Sequence, residues 1–317
     1  MTGIKLFLLV GLFSVGDPVP SDQAPTPKVP SDPASADEVI QTDTERYERL
    51  TVPVTISGEG PFRFMIDTGA QATAVTRGVE QQLQLPPAGV ATLVGMASRQ
   101  VVDLVELDDL ELGSRTIHNI QAPVLERRNV GADGILGIDS LQGLRVLLDF
   151  RQDSISVADA TELGGNKGYD IVVRATRRDG QLLITDAMID GVRTAVIIDT
   201  GAQMSVGNLA LRRKLRARLN GTSISTDVLG NSLEGEIGVA RSLEIDGLKI
   251  ENLAISYADT PAFDALGLGR RPALSLGMYH LRMFDRVAID FDTRRILFDL
   301  PRGARRPPLH EIFSAGG

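Results

Sequence analysis

Three stretches of this sequence recur, in the same order, in its second half. Phe64-Met65-Ile66-Asp67-Thr68-Gly69-Ala70-Gln71 returns as Val196-Ile197-Ile198-Asp199-Thr200-Gly201-Ala202-Gln203. Leu110-Glu111-Leu112-Gly113 with Ile117-His118-Asn119-Ile120 returns as Leu243-Glu244-Ile245-Asp246 with Ile250-Glu251-Asn252-Leu253. Ile135-Leu136-Gly137-Ile138 with Val146-Leu147-Leu148-Asp149-Phe150 returns as Ser275-Leu276-Gly277-Met278 with Val287-Ala288-Ile289-Asp290-Phe291. The offsets are 132, 133 and 140 residues, so only small loop insertions separate the copies. One structural unit is therefore built twice, over approximately 45–164 and 165–300.

Within each unit the patterns are short alternating apolar stretches bounded by Gly, Asp, Asn or Pro, the pattern of many short strands. The 32 glycines suit such a turn-rich chain. Helices are expected only at Leu209–Leu219 and, as a single turn, at Ser140–Leu144. Hydrophobic residues make up 43% of the chain and aromatics 4%, with no Trp, so the core must come mainly from Leu, Ile, Val and Ala. The expected fold is all-β, with folded sequence beginning near Tyr47.

The remaining segments do not belong to the repeat. Residues 1–16 carry Lys5 and then an almost wholly apolar run, Leu6 to Val15. That run is shorter than the roughly 20 residues a bilayer span needs. It fits a secretory signal, with small residues at Ser14-Val15-Gly16 for cleavage, or an uncleaved N-terminal anchor. Residues 17–44 are Pro-rich and read as a disordered linker or propeptide, and 301–317 as a flexible tail. The expectation is an exported chain, periplasmic or secreted, or tethered by its N-terminus. The absence of Cys excludes disulfides, a thiol nucleophile and zinc–thiolate sites. A net charge of −8 argues against a nucleic-acid partner.

The first repeated stretch carries the chemistry. In each half an apolar strand ends in Asp-Thr-Gly-Ala, so Asp67 and Asp199 sit rigidly at strand ends where desolvation tunes a carboxyl group. Gly69 and Gly201 permit a sharp turn and close backbone approach, and Ala70 and Ala202 are small enough to admit the other copy. Two such loops facing each other set two carboxylates side by side. At a separation of about 3 Å they would repel by roughly 5 kcal/mol at an effective dielectric of about 20. The pair would then share one proton near neutral pH, one member acting as base toward a water and the other as acid.

This arrangement resembles the aspartic peptidases of the pepsin and retropepsin type, over nearly all of 45–300. In that family each lobe carries an apolar-apolar-Asp-Thr/Ser-Gly-Ser/Ala loop and, downstream, an apolar-apolar-Gly element, here Ile135-Leu136-Gly137 and Ser275-Leu276-Gly277. The short lobes, like retropepsin units fused in tandem, imply two β-barrel lobes related by a pseudo-two-fold axis with a cleft between them. The resemblance implies an aspartic endopeptidase that hydrolyses an extended polypeptide with a water activated between Asp67 and Asp199, without metal or organic cofactor. Thr68 and Thr200 would brace the opposite loop, and Gly137 and Gly277 would pack behind the loops. Flaps would lie at Val94–Ala97 and Leu229–Ser232, with Gly95, Met96, Gly230 and Asn231 at their tips. Neither flap carries the Tyr found on the first flap of pepsins. Pepsins also place a Ser after the loop Gly, which lowers the carboxyl's pKa; with Ala70 and Ala202 there, the optimum is expected to be less acidic than pepsin's. One chain supplies both loops, so an active monomer is expected. The alternatives are a catalytically silent peptide-binding module of the same fold and a dimer in which like lobes pair between chains.

Other residues invite weaker readings. His118 aligns with Glu251 and His280 with Ser140, and His310 lies in the tail; surface or hairpin positions are expected for them rather than a triad or a metal site. Arg212, Arg213, Lys214, Arg216 and Arg218 read as a solvated helix face, with nucleic acid or anionic lipid as alternatives. Asp149 and Asp290 lack the Thr-Gly turn and read as strand-end turns.

Overall fold

The computed structural model describes residues 5–7, 11–14 and 51–301. The Pro-rich stretch 17–44, the tail beyond Pro301, His310 and the other leader residues lie outside them. Two short strands are described in the leader, β1 (Lys5–Phe7) and β2 (Gly11–Ser14).

The first half contributes β3 (Thr51–Ile56), β4 (Glu59–Ile66), β5 (Ala74–Thr76), β6 (Pro87–Val94), β7 (Arg99–Leu112), β8 (Arg115–Leu125) and β9 (Gly134–Leu136). Six of them, in the order β7-β3-β4-β9-β5-β8, close into a barrel through the β7–β8 pairing. Three more strands, β10 (Arg145–Asp149), β11 (Ser154–Ala158) and β12 (Ile171–Arg174), lead to the second half. There follow β13 (Thr176–Arg178), β14 (Gln181–Ile189), β15 (Val192–Ile198), β16 (Ser205–Asn208), β17 (Leu219–Asp227), β18 (Ser232–Ile245), β19 (Leu248–Ala258) and β20 (Ala273–Leu276). The order β18-β14-β15-β20-β16-β19 closes in the same way, matching the first barrel strand for strand. The repeat in sequence is thus a repeat in topology, and the fold is all-β and two-lobed. Closure leaves each barrel without an open edge. Outside the closed rings, β6 and β17 project as the outer strands of hairpins with β7 and β18, and β13 lies at an edge against β14.

The lobes share a third sheet, ordered β11-β10-β21-β22-β12, completed by β21 (Arg286–Asp290) and β22 (Arg295–Asp299). Its central pairing is antiparallel, with Arg145 opposite Asp290 and Asp149 opposite Arg286. Exchanging the two lobes maps this register onto itself, so the pseudo-two-fold axis passes between Leu147 and Ala288. Arg145 and Asp290 are both buried and form an ion pair at 2.6 Å. The main apolar cluster runs through this region from Phe64 and Ile66 in one lobe to Ile198 and Phe298 in the other.

Strand β4 shows how sequence places the site. Its early residues alternate, but Phe64, Met65 and Ile66 are all buried. Both faces of the strand are therefore covered where it delivers Asp67 to the centre of the molecule; β15 does the same for Asp199.

The helices correct the sequence reading in several places, short helices at Arg127–Val130, Pro261–Ala265 and Met278–Leu281 being unanticipated. The second-half helix is Leu209–Leu215, ended by Arg216 in a left-handed conformation (φ 49°), and a strand already begins at Leu219. The turn expected at Ser140–Leu144 is Ile138–Leu141. An unanticipated helix, Arg77–Leu83, is the repeat partner of Leu209–Leu215 and ends on the equivalent left-handed residue, Gln84 (φ 50°). Among the described residues no helix is long and apolar enough to cross a membrane.

Candidate active site

The two Asp-Thr-Gly-Ala loops meet at the pseudo-two-fold axis. Strand β4 runs parallel to β9 and β15 parallel to β20, and each loop begins with a matching hydrogen bond: Asp67 N–H to Leu136 O at 3.0 Å, Asp199 N–H to Leu276 O at 3.1 Å. Within each loop one carboxylate oxygen accepts two backbone amides. Asp67 Oδ1 accepts from Gly69 (2.8 Å) and Ala70 (3.0 Å), and Asp199 Oδ1 from Gly201 (3.1 Å) and Ala202 (3.0 Å).

The threonines lock the loops together reciprocally. Thr68 Oγ1 donates to Ile198 O (2.8 Å) and accepts from Thr200 N–H (3.2 Å). Thr200 Oγ1 donates to Ile66 O (2.7 Å) and accepts from Thr68 N–H (3.0 Å). Each hydroxyl uses its donor and an acceptor on the other lobe, so neither loop is complete alone. A Cβ at Gly201 would lie 2.5 Å from Asp67 Cγ, so only glycine lets the second loop reach the first carboxyl group.

The apolar-apolar-Gly elements close the site from behind. A Cβ at Gly137 would stand 2.4 Å from the Ala72 carbonyl carbon, and one at Gly277 2.5 Å from the Met204 oxygen. Ile138 N–H donates to Ala70 O and Met278 N–H to Ala202 O, each at 2.8 Å. One layer deeper the halves diverge. Gly137 N–H donates to Thr73 Oγ1, which meets Ser140 Oγ at 2.6 Å. Gly277 N–H donates to Ser205 Oγ, which meets His280 Nδ1 at 2.7 Å. His280 is buried, not on a surface or hairpin as the repeat alignment led us to expect, because it fills the space behind Gly277 that Ser140 occupies behind Gly137. His118 is exposed and pairs with Asp109. Asp149 and Asp290 cap strand-end turns through the amides of Arg151 and Thr293.

Both carboxyl groups are fully buried, and their environments push them apart. Asp67 is held well above the usual carboxylate range, by burial first and by the neighbouring Asp199 charge second, against the lowering pull of the Gly69 and Ala70 amides. Asp199 is raised by burial to about 6, restrained first by the hydroxyl of Ser275 and then by the Gly201 and Ala202 amides. Ser275 Oγ donates to Asp199 Oδ2 at 2.6 Å. The sequence reading used Ser275 only as a repeat marker. The signal was a hydroxyl standing where the first copy has Ile135.

Gly95 and Met96 lie in the turn between β6 and β7, and Gly230 and Asn231 in that between β17 and β18. The two tips interlock. Met96 is buried among Val206, Leu233 and Phe263 of the second lobe, and Val228 among Met65, Leu93 and Val130 of the first. Asp227, buried at the base of the second tip, holds both. Its Oδ1 accepts from Leu229 and Asn231 N–H (3.0 and 2.9 Å), and its Oδ2 from Ala97 N–H and Ser98 Oγ (3.1 and 3.0 Å).

Comparison with known proteins follows the same division. The family model described as aspartyl protease matches residues 52–140 and again 185–279, together more than half of the chain. Among solved structures, the crystal structure of a retropepsin-like aspartic protease from Rickettsia conorii is similar at 23% identity and a TM-score of 0.29, covering 41% of this chain and 90% of that one. A search of curated proteins returns no match. The chain belongs to the aspartyl protease family, and carries the family's unit once in each half.

Proposed function

We propose that this protein is an aspartic endopeptidase whose nucleophile is a water activated between Asp67 and Asp199. The observation that carries the reading is the pair of loops: two buried carboxyl groups, cross-braced by Thr68 and Thr200, with their ordinary acidity suppressed by burial and mutual repulsion. The ionised member takes a proton from the water as its oxygen bonds to the peptide carbonyl carbon. The protonated member gives its proton to the carbonyl oxygen, forming a gem-diol. As the C–N bond breaks, the proton taken from water passes to the leaving nitrogen, and a gem-diol proton returns to the second carboxyl.

An extended polypeptide fits the flaps. The outer strand of each hairpin takes an added strand from the leader, β1 running parallel to β6 and β2 antiparallel to β17. Opposite polarities on the two flaps are what one extended chain crossing a two-fold axis produces, which supports substrate capture by strand addition. The apolar run Leu6–Val15 supports export, and with it the processing of exported or envelope proteins. Because both loops lie on one chain, the active form is taken to be a monomer.

The test is a peptide-library digest by the full chain from pH 3 to 8, read by mass spectrometry. Cleavage should fall by at least a thousandfold in both Asp67→Asn and Asp199→Asn. Cleavage that survives either substitution would overturn the dyad. Peptide capture without cleavage by the folded chain would favour a silent binding module.

A further inference from the structure

The two catalytic loops hold their carboxyl groups almost alike. The paired loop amides on each Asp Oδ1 and the threonine cross-braces recur in both, and the equivalent amide distances agree within 0.3 Å. The remaining carboxylate oxygens differ. Asp199 Oδ2 receives the Ser275 hydroxyl at 2.6 Å, a length typical of a hydrogen bond to an ionised oxygen. Asp67 Oδ2 is equally buried and has no hydrogen-bond partner among the described residues. The repeat explains the difference. Ser275 and Ile135 occupy the same place, each the third residue before its Met278 or Ile138, on β20 beside β15 and on β9 beside β4. Ile135 has no hydroxyl to give.

We propose that Ser275 is a positioning residue that makes the two carboxyl groups inequivalent, holding Asp199 as the anion of the pair and leaving the shared proton on Asp67. This rests on the dyad reading above. A buried carboxylate oxygen without a donor is costly, whereas the same oxygen carrying a proton is not. The proton therefore resides on the carboxyl group that lacks the extra donor. Asp199 is then the base that takes the water's proton, and Asp67 the acid that protonates the carbonyl oxygen. The charged group facing each carboxylate is the other carboxylate. The groups bonded to the carboxylates are uncharged: Ser275 from β20 on Asp199, and the backbone amides of each Asp's own loop. The hydroxyl that pepsins place in the loop itself is supplied here from a different strand, and to one side only.

The experiment is a carbon-13 carboxyl titration of the full chain labelled at aspartate, run beside the pH profile of kcat/KM. In the wild-type chain the lower of the two coupled transitions should report on Asp199. In Ser275→Ala that transition, and the acid limb of the profile, should rise by about one pH unit. Ser275→Thr, which keeps a hydroxyl, should restore both. The exchange variant Ile135→Ser with Ser275→Ile should bring the lower transition back and move it to Asp67. Transitions unmoved in Ser275→Ala, or a lower transition that stays on Asp199 in the exchange variant, would overturn the proposal. The titration decides the role of Ser275 even if the chain cleaves no peptide, an outcome that would remove the endopeptidase reading alone.

Discussion

Behind the second Asp-Thr-Gly-Ala loop, His280 is fully enclosed, with Nδ1 bonded to Ser205 and Nε2 without a partner among the described residues. Burial pushes its pKa down to about 4. An unfolded histidine titrates near 6.5, so between these values the unfolded chain binds a proton that the folded chain does not. The stability this side chain contributes is full above pH 6.5, falls as the pH drops toward 4, and falls no further below it. Chemical denaturation should show the wild-type chain losing up to about 3 kcal/mol relative to His280→Ser between pH 6.5 and 4. The cavity left by the serine adds a cost that does not vary with pH. Parallel stability curves for the two proteins would show that His280 does not titrate in this range. The same residue marks the limit of sequence reading. Asp67 and Asp199 stood out in the sequence because they lie in contiguous motifs repeated in register. His280, Ser275 and Asp227 were not, because each acts on a residue 75, 76 or 130 positions away, and only folding brings those segments together.

At the scale of elements, the tips of the hairpins β6–β7 and β17–β18 lie where the family resemblance led us to expect flaps, but their interlocking was not foreseen. Nor was the short helix Arg77–Leu83, whose buried face is one residue, Val79, too small a stripe to produce a periodic pattern. The second hairpin tip packs into a cluster with Ala70 of the first Asp loop and both carboxyl groups are buried, so on the endopeptidase reading the tips would part to admit a polypeptide. One carboxylate, Asp227, accepts from both tips. Its counterpart in the first lobe is Gly95, so the fastening is one-sided. In Asp227→Asn one accepting oxygen becomes an amide nitrogen, so the backbone amides of one tip, Ala97 or Leu229 with Asn231, lose their acceptor. Hydrogen exchange at residues 95–98 and 228–231 should then accelerate about tenfold or more, with the barrel strands unchanged. Acceleration spread evenly over the lobe would mean that Asp227 supports the fold rather than the closed hairpins.

At the scale of the whole molecule, the lobes are joined by a sheet whose central pairing buries Arg145 against Asp290. Arg145 also donates to Gly165 O and Asn166 Oδ1, tying the connection between lobes to the axis. Removing one member leaves a buried charge without its partner, so Arg145→Met should destabilise the chain by about 3–5 kcal/mol. Arg145→Met with Asp290→Leu should recover most of that loss. Urea unfolding of the three proteins provides the measurement, and equal losses in the single and double variants would show that the pair does not act as a unit. Two similar all-β units were legible from the order and spacing of the repeats, and their barrel form from the family resemblance. The shared sheet was legible only as two apolar strands ending in Asp, because pairing across the axis is a long-range choice that local pattern does not encode.

The register that maps onto itself across Leu147 and Ala288 is the kind expected where two identical partners meet. Two identical partners would also have to share every substitution, a serine beside one carboxyl group appearing beside the other as well. Joining the halves in one chain lifts that requirement. The departures from symmetry described above, at Ser275, His280 and Asp227, all lie in the second half, while the first keeps Ile135, Ser140 and Gly95 at the matching places. Covalent linkage thus allows a division of labour, in which one copy preserves the common frame and the other is free to acquire a direction.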